Sequence, residues 1–146
     1  MWNDKEILSR FWRYYAIINR EKIARYLITK KVQVSIEINA STPLEKLWDA
    51  HEHAAGKFKK LLQELDAQED SWSYFTTLDT PQTSFLDLKI ELAKRILRNC
   101  HFCERECQVN REETKGVCRL GVDSFVSSWF HHMGEEAPLI PSGTKN

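Results

Sequence analysis

Glycine and proline are scarce in this 146-residue chain, at five and four residues. No internal repeat and no low-complexity tract is present, which excludes fibrous, solenoid and linker-like architectures. A surplus of either charge is missing too. Twenty-one basic residues balance twenty-one acidic ones, and a net charge of zero removes the electrostatic case for nucleic acid or an anionic membrane as partner. Long apolar runs are also absent near the N-terminus, where the longest is Tyr14 to Ile18 among Asp4, Lys5, Glu6, Arg10 and Arg13. That is far short of the ~20 residues that span a bilayer and unlike a targeting segment. The expectation is a soluble, cytoplasmic protein, and at 42% hydrophobic content it can bury one ordinary core.

Cysteine is rare as well, yet all four copies lie between Cys100 and Cys118, as Cys100-His-Phe-Cys103-Glu-Arg-Glu-Cys107, ten residues, then Cys118. The chemistry this suggests is a shared centre. Two cysteines separated by two residues can present both thiolates from one tight turn whose backbone N–H groups face the sulfurs, and Cys107 follows one short turn later. Gly116 suits the same device, because a residue without a Cβ can take a positive φ and bring the backbone close to a metal. Gln108 to Val117 is polar and reads as a solvated loop closing the site. Two disulfides are the competing reading, but nothing indicates secretion and cytosolic thiols stay reduced. Metal binding is the usual meaning of such spacing in a cytosolic chain, so Cys100, Cys103, Cys107 and Cys118 are the predicted ligands. The ion stays open between Zn2+ and a [4Fe–4S] cluster, since both accept four thiolates. Five basic and four acidic residues from Arg98 to Arg119 do not choose between them.

The remainder predicts a mainly α fold with a small β component (α+β), a helical part at 1–83 and a cysteine-rich part at 84–146. Asn3 or Asp4 caps a first helix with Ile7, Leu8, Phe11, Trp12, Tyr15 and Ile18 on its apolar face and a Glu6–Arg10 pair. A break at Asn19 starts a second helix that ends near Lys31. Val32 to Ile38 alternates apolar and polar residues and reads as a half-buried strand. Thr42 as cap, Pro43 at the first helical position and Glu45 in a capping box open a long amphipathic helix carrying Leu44, Leu47, Trp48, His51, Ala55, Phe58, Leu62 and Leu65. His51 beside that face is a structural histidine, and His53 points elsewhere. Between Asp66 and Thr83 the helical period vanishes, so this is read as a connection and a domain boundary. Thr83 or Ser84 then caps a helix over 85–98 that delivers Cys100. A strand at 123–130 comes next, where His131 or His132 could supply a fifth ligand, though four thiolates already close a site. Glu135 and Glu136, adjacent in sequence, diverge in space and make a poor carboxylate pair.

Several segments carry a family resemblance: Phe85-Leu-Asp-Leu-Lys-Ile-Glu-Leu-Ala-Lys-Arg-Ile-Leu-Arg98, Cys100 to Arg111, Lys115-Gly-Val-Cys118, His132-Met-Gly-Glu-Glu-Ala-Pro138 and Pro141-Ser-Gly-Thr144. Together these sixty or so residues resemble the N-terminal region of radical SAM proteins related to pyruvate formate-lyase activating enzyme, above all the archaeal members. The resemblance implies an iron–sulfur context and a partial α/β barrel beginning after the Pro-Ser-Gly-Thr stretch. The chain departs from that pattern. Asn110 stands where a third cysteine of a Cys-x3-Cys-x2-Cys loop would fall, and 28 residues come after Cys118. The resemblance therefore implies an accessory metal-binding domain that does not cleave S-adenosylmethionine alone, its partner being the missing radical SAM core or another subunit. A stand-alone zinc module for protein interaction is the alternative. A thiol redox protein is a third reading, weakened because ligation would occupy every thiol.

Overall fold

A computed structural model describes residues 4–123, and among them the regular structure is helical: α1 (Lys5–Arg10), α2 (Trp12–Ile18), α3 (Arg25–Lys31), α4 (Leu44–Ala67), α5 (Ser71–Thr77) and α6 (Phe85–Arg98). The mainly helical expectation is met. The Asp4 carboxylate caps α1 by accepting from the N–H groups of Glu6 and Ile7 at 2.8 and 3.3 Å, and Glu6 pairs with Arg10 at 2.9 Å as its spacing predicts. The expected single first helix is interrupted at Phe11, whose backbone leaves the helical region. The expected break at Asn19 is present, and Arg20 beyond it has φ 60°.

The predicted strand at 32–38 is an extended segment rather than part of a sheet. Its burial does alternate as expected: Val32 and Val34 are buried, Ile36 and Ile38 half-buried, and Gln33, Ser35 and Glu37 exposed or nearly so. A strand also needs a partner edge, and among the described residues one bridge forms, Gln33 to Ser84, flanked by Val34 N–H to Thr83 O and Phe85 N–H to Val32 O. Period-two burial against a helix satisfies the side chains without a ladder. The second predicted strand, at 123–130, falls almost wholly outside the described residues.

The long helix starts one residue later than expected, at Leu44, with Pro43 at the cap and no side-chain cap bond. Thr42 is not free to cap it, because its hydroxyl donates to Glu37 O at 3.0 Å and accepts from Asn39 N–H at 3.2 Å. The stretch expected to be a connection contains a helix, α5. Asp70 caps it by accepting from Ser73 N–H at 2.9 Å. Trp72 and Phe75, one turn apart, meet edge to face with ring centroids 6.0 Å apart.

Helix α4 is the spine. One end of its inner face, with Leu47 and Ala54, packs on Val32, Val34 and the α6 residues Phe85, Leu88 and Leu92. The other end, with Leu65, packs on Ile23, Ile28, Trp72 and Phe75. Phe58 and Leu61 belong to both clusters, so residues on either side of position 83 share one continuous core. Burying each of the large apolar side chains contributes roughly 1.5–3 kcal/mol. The buried stripe of α6 is Phe85, Leu88 and Leu92, whereas Ile90 is 46% exposed. His51 sits between Trp48 and Phe85, at centroid distances of 5.4 and 5.0 Å, in the structural role expected of it.

Helix α6 carries the cysteine loop. Ser84 accepts from Asp87 N–H while the Asp87 carboxylate accepts from Ser84 N–H at 2.8 Å, a complete capping box. Arg95 is bound to Glu91 at 2.7 Å and reaches back to Asn39 O at 3.0 Å. The helix is thereby tied at its start, along its length and on its face, and its C-terminus leads into the loop.

Candidate functional site

The loop is tied to α6 at two levels. Cys100 donates its N–H to Val109 O at 3.1 Å and accepts at its own carbonyl from Gln108 N–H at 2.9 Å, so the chain doubles back beside Cys100. Arg111 N–H then bonds Leu97 O at 2.8 Å, satisfying a carbonyl that the end of the helix leaves open. Within this closed loop, Glu106 N–H to Cys103 O at 3.0 Å makes a tight turn. A second turn, with Arg119 N–H on Gly116 O at 2.8 Å and Gly116 N–H on Leu120 O at 3.1 Å, carries Cys118.

Three of the four thiols come together. Arg111 Nε donates to Cys100 Sγ at 3.0 Å and Arg111 Nη2 to Cys118 Sγ at 3.3 Å. A Cβ on Gly116 would lie 3.3 Å from Cys107 Sγ and 3.4 Å from Cys118 Sγ, so those two sulfurs flank one point. Cys100 also lies near enough to Cys107 to help lower the pKa of its thiol. Cys103 lies apart, exposed on its turn. All four thiols are free, with no disulfide between them.

Gly116 matters for a different reason from the one expected. Its φ is not in the positive range; what its missing side chain permits is the close approach of two sulfurs. The positive-φ residues of this region are Glu106 (36°), Gln108 (53°) and Arg119 (63°), which flank Cys107 on both sides and succeed Cys118. Such backbone costs of order 1 kcal/mol per non-glycine residue and persists only where the surroundings enforce it. The Cys107 thiol is held below its ordinary pKa chiefly by the Val117 N–H, then by those of Val109 and Cys107 itself and by the Cys100 side chain, against an opposing contribution from burial.

No protein-family profile matches the chain, and no solved structure matches it. Over 132 residues it is 39% identical to an uncharacterized protein of Methanocaldococcus jannaschii, an alignment covering 90% of this chain and 35% of that protein. The chain thus spans about a third of the length of the relative it matches.

The donor set suits a thiophilic ion: free thiols, backbone N–H groups aimed at one sulfur, and a glycine where a side chain would intrude. The spacing does not yet form a coordination sphere. Among the described residues no group of three or more His, Cys, Asp or Glu side chains is arranged to hold a metal ion. Tetrahedral zinc needs each sulfur about 2.3 Å from one centre, whereas here Cys100 and Cys118 are directed at a guanidinium. His131, His132, Glu135 and Glu136 lie outside the described residues. Sequence reasoning missed Arg111, which it placed in a solvated loop. The residue is half-buried, and contact between the Cys100 sulfur and its guanidinium raises its pKa. The signal that could have found it is an arginine midway between cysteines with Glu112 and Glu113 beside it, since those acids bond elsewhere, to Arg98 at 3.1 Å and Asn110 at 2.9 Å.

Proposed function

We propose that Cys100, Cys103, Cys107 and Cys118 are the ligands of one thiolate-held centre, zinc or [4Fe–4S], in an accessory domain of a larger protein of the radical SAM activating-enzyme type. The observation that carries this reading is the gathering of Cys100, Cys107 and Cys118 around Gly116 and Arg111 at the end of α6. Cys103 completes the set from the Cys103–Glu106 turn. Bound zinc would staple the loop to the helix, and a cluster would relay an electron. The chain's own residues bind and orient that group: α6 fixes Cys100, the strained backbone around Cys107 aims N–H groups at its sulfur, and Gly116 leaves room for two sulfurs. Cleavage of S-adenosylmethionine is assigned to a core outside residues 1–146, because the Cys-x3-Cys-x2-Cys spacing is not among them.

A second reading, a structural zinc module that docks on another protein, draws support from apolar side chains displayed on the same loops. Phe102, Val117, Leu120 and Val122 are 51, 65, 42 and 46% exposed, and apolar side chains left in water are the raw material of a contact surface. Anaerobic purification with metal and sulfide analysis and a visible spectrum decides the identity of the centre. Brown protein containing iron and sulfide supports the electron relay, and colourless protein with one zinc supports the staple. Protein that takes up neither, with all four thiols freely titrated in the folded state, refutes both.

A further inference from the structure

Arg111 is an unusual arginine for its surroundings. Its backbone is bolted to the last turn of α6 through Leu97 O at 2.8 Å. Its side chain spans two sulfurs from opposite arms of the loop, Cys100 at the helix end and Cys118 on the return turn. The two acids next to it in sequence are committed to Arg98 and Asn110, so they do not compete with the sulfurs for this guanidinium. Nη2 also lies 3.4 Å from the Cβ position of Gly116, which places the fork against the same point that Cys107 and Cys118 flank.

We propose that Arg111 is the positioning cation of the cysteine centre, an inference that rests on the four-cysteine reading of that centre. Its planar fork sets the separation of the Cys100 and Cys118 sulfurs and remains on them when the ion binds, in the outer shell. The geometry explains why arginine is needed. A guanidinium offers two N–H directions at fixed spacing, whereas a lysine ammonium is a point charge on a flexible stem. A divalent ion under four thiolates keeps a net negative charge, and Arg111 cancels one unit of it where the loop is partly closed to water. Each N–H···S bond also withdraws electron density from the sulfur, so the ligands donate less strongly to the ion.

The test uses the full chain loaded with Co2+, whose thiolate-to-metal charge-transfer absorption reports how strongly the sulfurs donate. R111A is expected to fold, by far-UV circular dichroism, and to bind Co2+ about 10–100-fold more weakly in competition with a chelator, the range typical for outer-shell partners of a metal site. Its charge-transfer band moves to lower energy. R111K, keeping the charge without the fork, recovers only part of both effects. K115A, which removes an exposed charge from the same loop, changes neither. Wild-type affinity and an unshifted band in R111A would overturn the proposal while leaving the metal centre standing. So would a K115A effect equal to that of R111A, which would reduce the role to general field. Wild-type protein that binds no Co2+ through its thiols would instead overturn the centre itself, and this inference with it.

Discussion

Replacing Gly116 by alanine adds one methyl group at the point where the site is narrowest. The new Cβ would stand 3.3 Å from Cys107 Sγ, 3.4 Å from Cys118 Sγ and 3.4 Å from Arg111 Nη2, so Cys107 must retreat by a few tenths of an ångström while the other two, already in contact, limit where the new methyl can go. None is a loose chain end. Cys118 is held by Arg111 at 3.3 Å, and Arg111 is held by Cys100 at 3.0 Å. Overpacking of one carbon in a constrained site costs about 1–3 kcal/mol. Because φ is not positive at Gly116, alanine also narrows the unfolded ensemble and returns roughly 0.4–1 kcal/mol. The net expectation for folding is a loss of up to ~2.5 kcal/mol; metal affinity, which the unfolded-state contribution does not touch, should weaken about 5-fold or more at 1.4 kcal/mol per decade. The paired control is G56A. Gly56 lies inside α4 with nothing within 4 Å of its Cβ position, so alanine there stabilises the fold by ~1 kcal/mol through helix propensity alone and leaves metal affinity unchanged. Chelator competition with Zn2+ or Co2+, read beside thermal melting of the metal-free protein, separates the two. G116A binding metal as tightly as the wild type, without loss of thermal stability, would refute the claim that the sulfurs close on this position.

The fold sets the other expected outcomes. Ser84→Ala removes a buried half of the α6 capping box and should cost about 1 kcal/mol in urea unfolding; loosening the base of the cysteine loop, it should also speed chelator-driven metal release. The partner Asp87 carboxyl is held below the usual carboxylate range by the Ser84 hydroxyl and N–H. Its contribution is therefore present above about pH 4 and lost as pH falls through its folded-state pKa, so the stability gap between wild type and D87A should shrink as pH falls below about 4. Both Asp66 carboxylate oxygens accept from the single Arg13 Nη1, at 3.0 and 2.8 Å, and the Arg13 side chain is 14% exposed; D66A should cost up to about 3 kcal/mol by leaving a largely buried cation without its counter-charge, with little relief from added salt. His51 has its pKa lowered first by burial and then by Lys89. The unfolded chain accepts that proton more readily, so stability should fall as pH drops below about 6.5, and H51F should flatten that slope.

The helices are legible where local rules and tertiary packing agree. Ser84 with Asp87, the Glu91–Arg95 pair and the apolar face of α4 each state their structure within a few residues of sequence. Expectation and structure part where one sequence pattern serves two structures. Val32 to Ile38 alternates in burial whether its neighbour is a strand or a helix, and only the absence of a partner edge among the described residues distinguishes the cases. Helix α5 escapes a reading by pattern because seven residues with two serines and two threonines have weak intrinsic helicity. The helix is held instead by Asp70 at its start and by Trp72 and Phe75 against α4, and the second of these is a long-range contact. In the cysteine loop, spacing gives the reason for Cys100, Cys107 and Cys118 to meet, but backbone strain at Glu106, Gln108 and Arg119 carries no mark in residue type, since none of them is glycine or asparagine.

The location of the loop accounts for the guanidinium among its sulfurs. Helix C-termini carry about half a negative charge and favour cations, so the thiolates that the proposed centre requires would stand at the electrostatically wrong end of α6. Zinc and iron–sulfur ligation both require thiolates, and three features of this loop counter that placement. Arg111 N–H covers the Leu97 carbonyl, one of those that generate the negative end. Arg95 and Arg98 occupy the last turn. The Arg111 side chain bridges the sulfurs themselves. Of these, Arg98 is 58% exposed at its side chain and already shared with Glu112, and Arg95 is bound to Glu91 and to the Asn39 carbonyl, which leaves Arg111 to carry most of the compensation. Doubling the salt concentration should therefore weaken metal binding more in R111A than in the wild type, because the distant arginines that remain act across solvent and are screened, whereas the N–H···S contacts are not.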